Sequence, residues 1–249
     1  MRGKVFLIGA GPGDPKLITL KAAEILKKAD VVLYDRLISK QILQMIPEKT
    51  KKIYVGRKVG DDYKHQSDTD RLMIKFAKIK KIIVRLKGGD PIIFGRGGEE
   101  AEFLTKHGIK FEIIPGITSG IGSAVYSGIP LTHRKYSSSV AFVTGHEDTM
   151  KKKESVEWKK LAKSVDTIVV LMGLSRIETI CKNLVSGGLD KKTPVAVIQN
   201  GTTLKHRMVK GTLSTISKKV SIAKIKPPSV IIVGNVVKLS DKIGRQKRK

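Results

Sequence analysis

The feature that most constrains the fold is a regular alternation of short apolar runs with amphipathic segments. Apolar runs with the length of buried strands lie at residues 4–8, 31–34, 52–55, 82–86 and 111–114. Segments with the apolar spacing of helices lie between them, at residues 17–29, 40–46, 69–79 and 99–107. Strands that alternate with helices favour parallel pairing, because a parallel connection is long enough to hold a helix. We therefore predict an α/β fold with a mainly parallel sheet in this part of the chain.

A stretch of small residues at 115–136 interrupts the alternation, and a short helix is expected within it at 119–127. Strand-like runs then resume, and they are closely spaced near the end of the chain, which predicts a mixed sheet. We predict an N-terminal α/β lobe at residues 1–114, a joint at 115–136, and a C-terminal α/β lobe with a basic tail at 137–249.

The formal net charge of +27 suggests nucleic acid, an anionic membrane or an acidic small molecule as a partner. Lysine supplies 38 of the 49 basic residues and is spread along the chain, and no aromatic motif for stacking RNA bases is present. No apolar run approaches the roughly 18–20 residues that span a bilayer. We therefore expect no membrane partner, and nucleic acid is the weaker alternative to an acidic small molecule.

Cysteine and histidine usage argues against disulfides and metals. The single cysteine, Cys181, excludes an intrachain disulfide and lies in a helical pattern on an apolar face, where we expect a buried thiol in a cytoplasmic protein. His65, His133 and His146 are far apart and lack further ligands at metal-site spacing. We expect no bound metal.

Two glycine- and proline-rich loops follow predicted strands, GAGPGDP at 9–15 and KGGDP at 87–91. The first is not a dinucleotide-binding fingerprint, because its glycine spacing is wrong and Pro12 and Pro15 remove backbone donors. Ligands of open α/β sheets bind at the carboxyl ends of the strands. Such loops suit a ligand held by backbone groups, and Asp90, Thr118 and Ser119 offer polar contacts beside them.

Charged side chains follow the second loop in the run FGRGGEE, and Thr132-His133-Arg134 closes the small-residue stretch. Arg96 and Arg134 offer guanidinium forks for carboxylates. Arg96 and Glu99 are three residues apart at a predicted helix start, so a purely structural pair is the alternative interpretation.

Eight motifs together identify a resemblance that covers essentially the whole chain. They read VFLIGAGPGDPKLITLKA, VVLYDRLIS, VRLKGGDPIIFGRGGEE, PGITSGIGSAVYSGIPLTHR, SSSVAFVTGH, VVLMG, VAVIQNGTT and SVIIVGNVV. The chain resembles the tetrapyrrole methylase family, in its uroporphyrinogen-III C-methyltransferase branch. The resemblance implies two α/β lobes with an active-site cleft between them, a homodimer, and transfer of methyl groups from S-adenosylmethionine (SAM) to C2 and C7 of uroporphyrinogen III. The product is precorrin-2, on the way to sirohaem and cobalamin, and S-adenosylhomocysteine is released.

The resemblance also implies residue roles, motif by motif. Those implied to bind SAM are Pro12, Gly88, Gly89, Asp90, Ile93, Thr118, Ser119, Met172, Gly201 and Ser229, the last standing where the family often has alanine. Those implied to serve the substrate are Asp35, Arg57, Arg96, Glu99 and Arg134. Arg57 stands where the family has a lysine proposed to donate a proton, a role that arginine fills poorly because it stays protonated. Asp35 matches a proposed proton acceptor, and Asp35 or Glu99 is the better candidate base.

Three functions remain in competition. The first is methylation of uroporphyrinogen III, whose carboxylates would suit a basic, arginine-lined site. Another activity of the same family, on later corrin intermediates or on ribosomal RNA ribose, is the second. A nucleic-acid-binding module without enzymatic activity is the third.

Overall fold

The computed structural model describes residues 3–56, 64–145 and 156–244. The chain divides into two compact units, Met1–Thr118 (unit 1) and Ser119–Lys249 (unit 2). Each unit contains one five-stranded sheet. The boundary between the units falls inside the small-residue stretch, while the three predicted domain ranges stay a prediction.

Unit 1 contains an all-parallel sheet in the order β3-β2-β4-β1-β5. Its strands are β1 (Lys4–Gly9), β2 (Val31–Tyr34), β3 (Lys51–Tyr54), β4 (Ile82–Lys87) and β5 (Lys110–Ile114). Its helices are α1 (Leu20–Lys28), α2 (Lys40–Gln44), α3 (Lys64–Ala77) and α4 (Gly97–Lys106). The predicted parallel sheet is therefore confirmed.

Side chains of the unit 1 strands alternate between two packed faces, as the pleat of a strand requires. Val32 packs with Leu26 of α1 on one face. Leu33 packs with Met73 of α3 and Leu104 of α4 on the other. The helices that follow the neighbouring strands β1 and β4 thus lie on opposite faces, so their connecting loops diverge at the carboxyl edge of the sheet. In open α/β sheets this is the position where ligands bind.

Unit 2 contains a mixed sheet in the order β6-β7-β10-β8-β9, which confirms the second sheet prediction. Its strands are β6 (Val140–Thr144), β7 (Thr167–Leu171), β8 (Pro194–Gln199), β9 (Arg207–Thr212) and β10 (Ser229–Val233). Its helices are α5 (Ser119–Tyr126), α6 (Trp158–Ser164), α7 (Ile177–Ser186), α8 (Ile216–Ile222) and α9 (Ser240–Ile243). Only β6 and β7 are recorded as a parallel pair among its described strands.

The predicted buried thiol is confirmed. Cys181 lies in α7 within the unit 2 core, and burial raises the pKa of its thiol to about 11. A thiol this far from ionisation at neutral pH is a poor nucleophile. In the ranges that the structure describes, no helix is both long enough and apolar enough to cross a membrane.

Candidate active site

Two loops at the carboxyl edge of unit 1 are joined through their backbones. The N–H of Gly11 donates to the carbonyl of Gly89 at 3.1 Å, and the N–H of Gly89 donates to the carbonyl of Gly11 at 2.8 Å. These loops follow the neighbouring strands β1 and β4 and contain the predicted cofactor residues Pro12, Gly88 and Gly89. The structure therefore brings together the two glycine-rich segments that the sequence singled out.

A third loop, after β5, closes on the same point. A Cβ atom at Gly9 would lie 2.6 Å from the Gly89 carbonyl oxygen and 2.7 Å from the Gly116 Cα atom. A Cβ atom at Gly116 would overlap the same Gly89 oxygen. We call Gly9, Gly11, Gly89 and Gly116 the glycine knot. Backbones pass one another here at distances that only glycine allows.

The carboxylate of Asp90 fastens this knot from the side. Its Oδ2 accepts from the N–H of Gly116 at 3.0 Å, and its Oδ1 accepts from the N–H groups of Ile92 and Ile93 at 2.8 and 3.1 Å. Both oxygens of Asp90 are therefore already engaged with backbone donors. In this structure the side chain shapes the loop, and the direct ligand contact expected from the sequence stays a prediction.

The next segment winds tightly before α4. Arg96 has a φ of 60°, in the left-handed region, and the N–H of Gly97 donates to the carbonyl of Pro91 at 2.8 Å. Arg96 Nε lies 3.0 Å from Glu99 Oε1. The two side chains are 35% and 59% exposed. Ion pairs at such exposure contribute about 0–1 kcal/mol, so the pair with Glu99 by itself would cost an acidic ligand little to displace.

Asp35, Arg85, Lys87 and Glu100 form a charged cluster, in which Asp35 is partly exposed and the other three are buried. Arg85 Nη2 lies 2.6 Å from Asp35 Oδ1, and Arg85 Nε lies 3.0 Å from Glu100 Oε1. Lys87 Nζ lies 2.9 Å from the same Glu100 oxygen. Asp35 follows β2, Arg85 and Lys87 belong to β4, and Glu100 belongs to α4. Among the described residues, the cluster has two cations and two anions.

Burial and pairing act in opposite directions on these groups. Burial lowers the pKa of Lys87, and the charge of Arg85 lowers it further, although Glu100 opposes both. Burial would raise the pKa of Glu100, but the attraction of Arg85 and Lys87 outweighs it and the pKa falls below its usual value. Glu100 is therefore ionised at neutral pH, and Arg85 is charged as well.

The sequence indicates a candidate site in the run that contains Arg85, Lys87 and Glu100, but it predicts no role for these three residues. The signal was present: the central strand reads IIVRLK, with two cations at alternate positions in an otherwise apolar run. Alternate residues of a strand share one face, so Arg85 and Lys87 face the same layer of helices. Cations at alternate positions of a buried strand need anions on that layer, and Glu100 supplies one.

In unit 2, three of the predicted cofactor residues share one edge of the sheet. Met172 directly follows β7, Gly201 follows β8, and Ser229 begins β10. The strand register pairs Ser229 with Gln199, and it pairs the next residue of β10 with the last residue of β7. All three positions therefore lie at the same end of neighbouring strands.

The unit 2 edge also carries backbone strain and a close approach. Met172 and Asn200 have φ values of 56° and 51°, in the left-handed region. Conformations of this kind in residues other than glycine cost on the order of 1–3 kcal/mol and cluster at ligand sites. A Cβ atom at Gly201 would lie 2.5 Å from the Cβ atom of Ser123 in α5. Gly201 therefore allows the loop after β8 to pack directly on α5.

The remaining predicted residues fall into three groups. Thr118 is buried at the end of unit 1, and Ser119 begins α5. Arg134 is exposed in a turn closed by reciprocal backbone hydrogen bonds between His133 and Ser137, at 2.8 and 2.9 Å. Arg57 lies outside the described residues. Within the described ranges, no group of three metal-ligating side chains comes together.

Comparison with known proteins decides the family. The sequence profile of the tetrapyrrole (corrin/porphyrin) methylases matches residues 4–217. The chain belongs to the tetrapyrrole methylase family. It is 51% identical over 237 residues to a uroporphyrinogen-III C-methyltransferase of Bacillus subtilis, covering 94% of this chain and 91% of that protein. It is 50% identical over 238 residues to one of Priestia megaterium, covering 96% and 100%.

A solved structure extends the similarity to the fold. The uroporphyrin-III C-methyl transferase of Thermus thermophilus, complexed with S-adenyl homocysteine, matches with a TM-score of 0.81 and 40% identity, over 95% of this chain and 94% of that one. The predicted α/β class and the tetrapyrrole methylase fold are thereby confirmed.

Proposed function

We propose that this tetrapyrrole methylase transfers methyl groups from SAM to C2 and C7 of uroporphyrinogen III and so produces precorrin-2. The observation that carries the proposal is the 51% identity to a uroporphyrinogen-III C-methyltransferase over nearly the whole chain. The two sheet edges described above supply loops of the kind that such a reaction needs.

The knot loops fit SAM as their ligand. Gly88 and Gly89 are half-buried, and a Cβ atom at Gly88 would meet only Leu37 within 4 Å among the described atoms, so backbone is open to a ligand here. A phosphate ligand would favour a lysine or arginine in this loop, and none lies between Gly88 and Gly95. When bound, SAM supplies an electrophilic methyl group. We propose that SAM is bound by the residues that the family resemblance implies, with Asp90 shaping the loop after β4; they are Pro12, Gly88, Gly89, Ile93, Thr118, Ser119, Met172, Gly201 and Ser229.

The cationic side chains fit the acidic tetrapyrrole. Arg96 and Arg134 present guanidinium groups at the surface, where each can bind a carboxylate in a bidentate manner. The net charge of +27 also favours encounter with a polyanionic substrate. We propose that these two arginines orient the substrate, with Glu99 holding Arg96 before the substrate arrives.

After a ring carbon has gained a methyl group, the tetrapyrrole must lose a proton, and a carboxylate near the site can accept that proton. We propose Asp35 for this role. Its side chain is 28% exposed, so it is reachable, and the contact with Arg85 fixes its orientation. Glu99 is the alternative acceptor. The role of Arg57 stays a prediction.

Methyl transfer to a tetrapyrrole tests the proposal directly. Incubation with uroporphyrinogen III and methyl-labelled SAM should yield a doubly labelled dimethylated tetrapyrrole. S-adenosylhomocysteine at about 100 times its Kd should stabilise the folded protein by about 2.7 kcal/mol, seen as a rise in Tm. If the protein bound S-adenosylhomocysteine but yielded no labelled tetrapyrrole, the proposed substrate would be wrong and the proposed cofactor would still stand.

The same assay separates the competing functions. A later corrin methyltransferase would label a corrin intermediate but not uroporphyrinogen III, and an RNA methyltransferase would label ribosomal RNA ribose. A nucleic-acid-binding module would bind RNA with a steep dependence on salt, and S-adenosylhomocysteine would leave its Tm unchanged. The identity to uroporphyrinogen-III C-methyltransferases favours the first function over these.

Arg134→Ala should reduce turnover of uroporphyrinogen III roughly 10- to 100-fold while leaving the Kd of S-adenosylhomocysteine unchanged. Hydrogen bonds to charged groups contribute about 1.5–3 kcal/mol, and the turn that carries Arg134 is held by backbone bonds that survive the change. The neighbouring exposed cation provides the matched control, Lys135→Ala. Equal losses of turnover and cofactor affinity in the Arg134 variant would place this residue at the cofactor instead.

The family resemblance is the basis for two further proposals, on quaternary structure and on cellular location. We propose a homodimer in the cytoplasm. In the isolated chain Leu20 and Leu204 are 85% and 79% exposed, and burial of such side chains by a second copy would be favourable.

A further inference from the structure

Glu100 joins the charged cluster from the helix side. Its side chain is 0% exposed, and one oxygen, Oε1, accepts from Arg85 Nε at 3.0 Å and from Lys87 Nζ at 2.9 Å. The neighbouring Glu99 is 59% exposed and pairs with Arg96 at the surface. Two adjacent glutamates of one helix therefore have different environments, and only the surface one was expected to serve the substrate.

Stability alone gives little reason for this arrangement. Removing charges from water costs several kcal/mol per ion, so apolar side chains of similar volume often replace a buried ion pair with no loss of stability. The β4 face beside Glu100 is otherwise apolar, with Ile83 packed among Met73 and Leu104. The charges are placed where packing would have favoured leucine or methionine.

What the arrangement does achieve is orientation of Arg85. Nε donates to Glu100, Nη2 donates to Asp35 at 2.6 Å, and Nη1 donates to the Leu86 carbonyl at 3.4 Å. A planar guanidinium held at three nitrogens cannot rotate, so its Nη2 stays directed at Asp35. Lys87 also pairs with Glu100, at 2.9 Å from the same oxygen.

We propose that Glu100 is a positioning residue. It acts through Arg85 to hold the carboxylate of Asp35 in the orientation in which it accepts the proton. This inference rests on the proposed function, because it assigns Asp35 a task in methyl transfer. Glu100 touches neither substrate nor SAM in this scheme. Its effect passes through the two contacts of the Arg85 side chain.

The first test changes the charge of Glu100 and keeps its shape. Glu100→Gln should lower kcat roughly 10-fold, since residues of one hydrogen-bonded network couple by amounts of that order. The KM for uroporphyrinogen III and the Kd of S-adenosylhomocysteine should not change. Glu102→Gln is the matched control, because Glu102 is an exposed glutamate of the same helix. An unchanged kcat in a folded Glu100→Gln protein would overturn the proposal.

A second variant separates positioning from stability. Glu100→Gln leaves Lys87 buried beside a neutral group and can unfold the protein. The Lys87→Met, Glu100→Leu double variant removes the pair together and should fold. Its kcat should stay low even where its Tm equals that of the unmodified protein. Recovery of kcat together with Tm would show that Glu100 is structural only.

A third comparison asks whether Asp35 is the target. In an Asp35→Asn background, Glu100→Gln should cause no further loss of kcat. An additional 10-fold loss, the full effect of the single variant, would overturn the proposal.

Failure of the proposed function gives a different pattern. The unmodified protein would then bind S-adenosylhomocysteine and methylate no uroporphyrinogen III. A crystal structure of the Lys87→Met, Glu100→Leu double variant then tests the positioning role, because it shows the orientation of Asp35 without any need for turnover. Loss of the contact between Arg85 Nη2 and Asp35 Oδ1 would support the positioning role, and its retention would overturn it.

Discussion

The Gly116→Ala variant is expected to lose measurable binding of S-adenosylhomocysteine and to unfold at a lower temperature. A Cβ atom at Gly116 would overlap the carbonyl oxygen of Gly89 and lie 2.8 Å from the Gly9 Cα atom. These neighbours are backbone, which cannot swing aside as a flexible side chain would. Overpacking of this kind costs about 1–3 kcal/mol, and relief requires that the knot loops separate.

A glycine outside the knot provides the matched control. A Cβ atom at Gly98 in α4 would meet nothing within 4 Å among the described atoms. Gly98→Ala should therefore bind S-adenosylhomocysteine normally and gain about 0.4–1 kcal/mol, because alanine restricts the unfolded chain. Isothermal titration and thermal unfolding of both variants measure the difference. Normal cofactor affinity in Gly116→Ala would contradict the role of the knot.

The Asp35→Asn variant is expected to lose about 10²- to 10⁴-fold in kcat, the usual contribution of a positioned proton acceptor. Asparagine keeps an oxygen that can accept from Arg85 Nη2, so the position of the side chain should survive. What it loses is the ability to take up a proton. Single-turnover methyl transfer to uroporphyrinogen III measures the loss.

Cofactor binding distinguishes a catalytic effect from a general one. The Kd of S-adenosylhomocysteine for Asp35→Asn should stay close to that of the unmodified protein, because the knot loops do not depend on this carboxylate. The Tm should fall, because the buried Arg85 guanidinium loses one of its anionic partners. If kcat fell less than about 10-fold, Asp35 would not be the acceptor, and Glu99→Gln would be the next variant to measure.

Much of the fold follows from periodicity, because the strands carry strong local signals. The strands of unit 1 lie within a few residues of the predicted runs, and the helix from Leu20 to Lys28 falls inside its predicted range. The start of α4 differs: it begins at Gly97 and not at Glu99, because Arg96 adopts a left-handed conformation that ends the loop early. α6 and α8 were not predicted, and neither has a side-chain N-cap hydrogen bond to mark its start.

Some features of the site are visible in the local sequence, and others exist only because particular strands become neighbours in the sheet. The glycine loops are visible as composition, so their place at strand ends was predictable. The contact of Gly9 with Gly116 and the burial of Glu100 depend on which strands become neighbours. The two cations of β4 are visible in the sequence, but strand order cannot be read from the strands themselves, so the partners Asp35 and Glu100 could not be assigned to them before the structure.

The glycine knot also has a consequence for how the sheet forms. β1 and β4 pair with Gly9 opposite Lys87, and only this alignment carries Gly11 to Gly89. A shift of one residue would turn Arg85 and Lys87 towards the apolar helices on the other face, since each step along a strand reverses its side chains. The same shift would place residues with side chains at the close contact between the backbones of the glycine knot. Mispaired chains therefore never acquire the loop geometry proposed to hold SAM, so occupancy by the ligand reports that the strands have found their correct alignment.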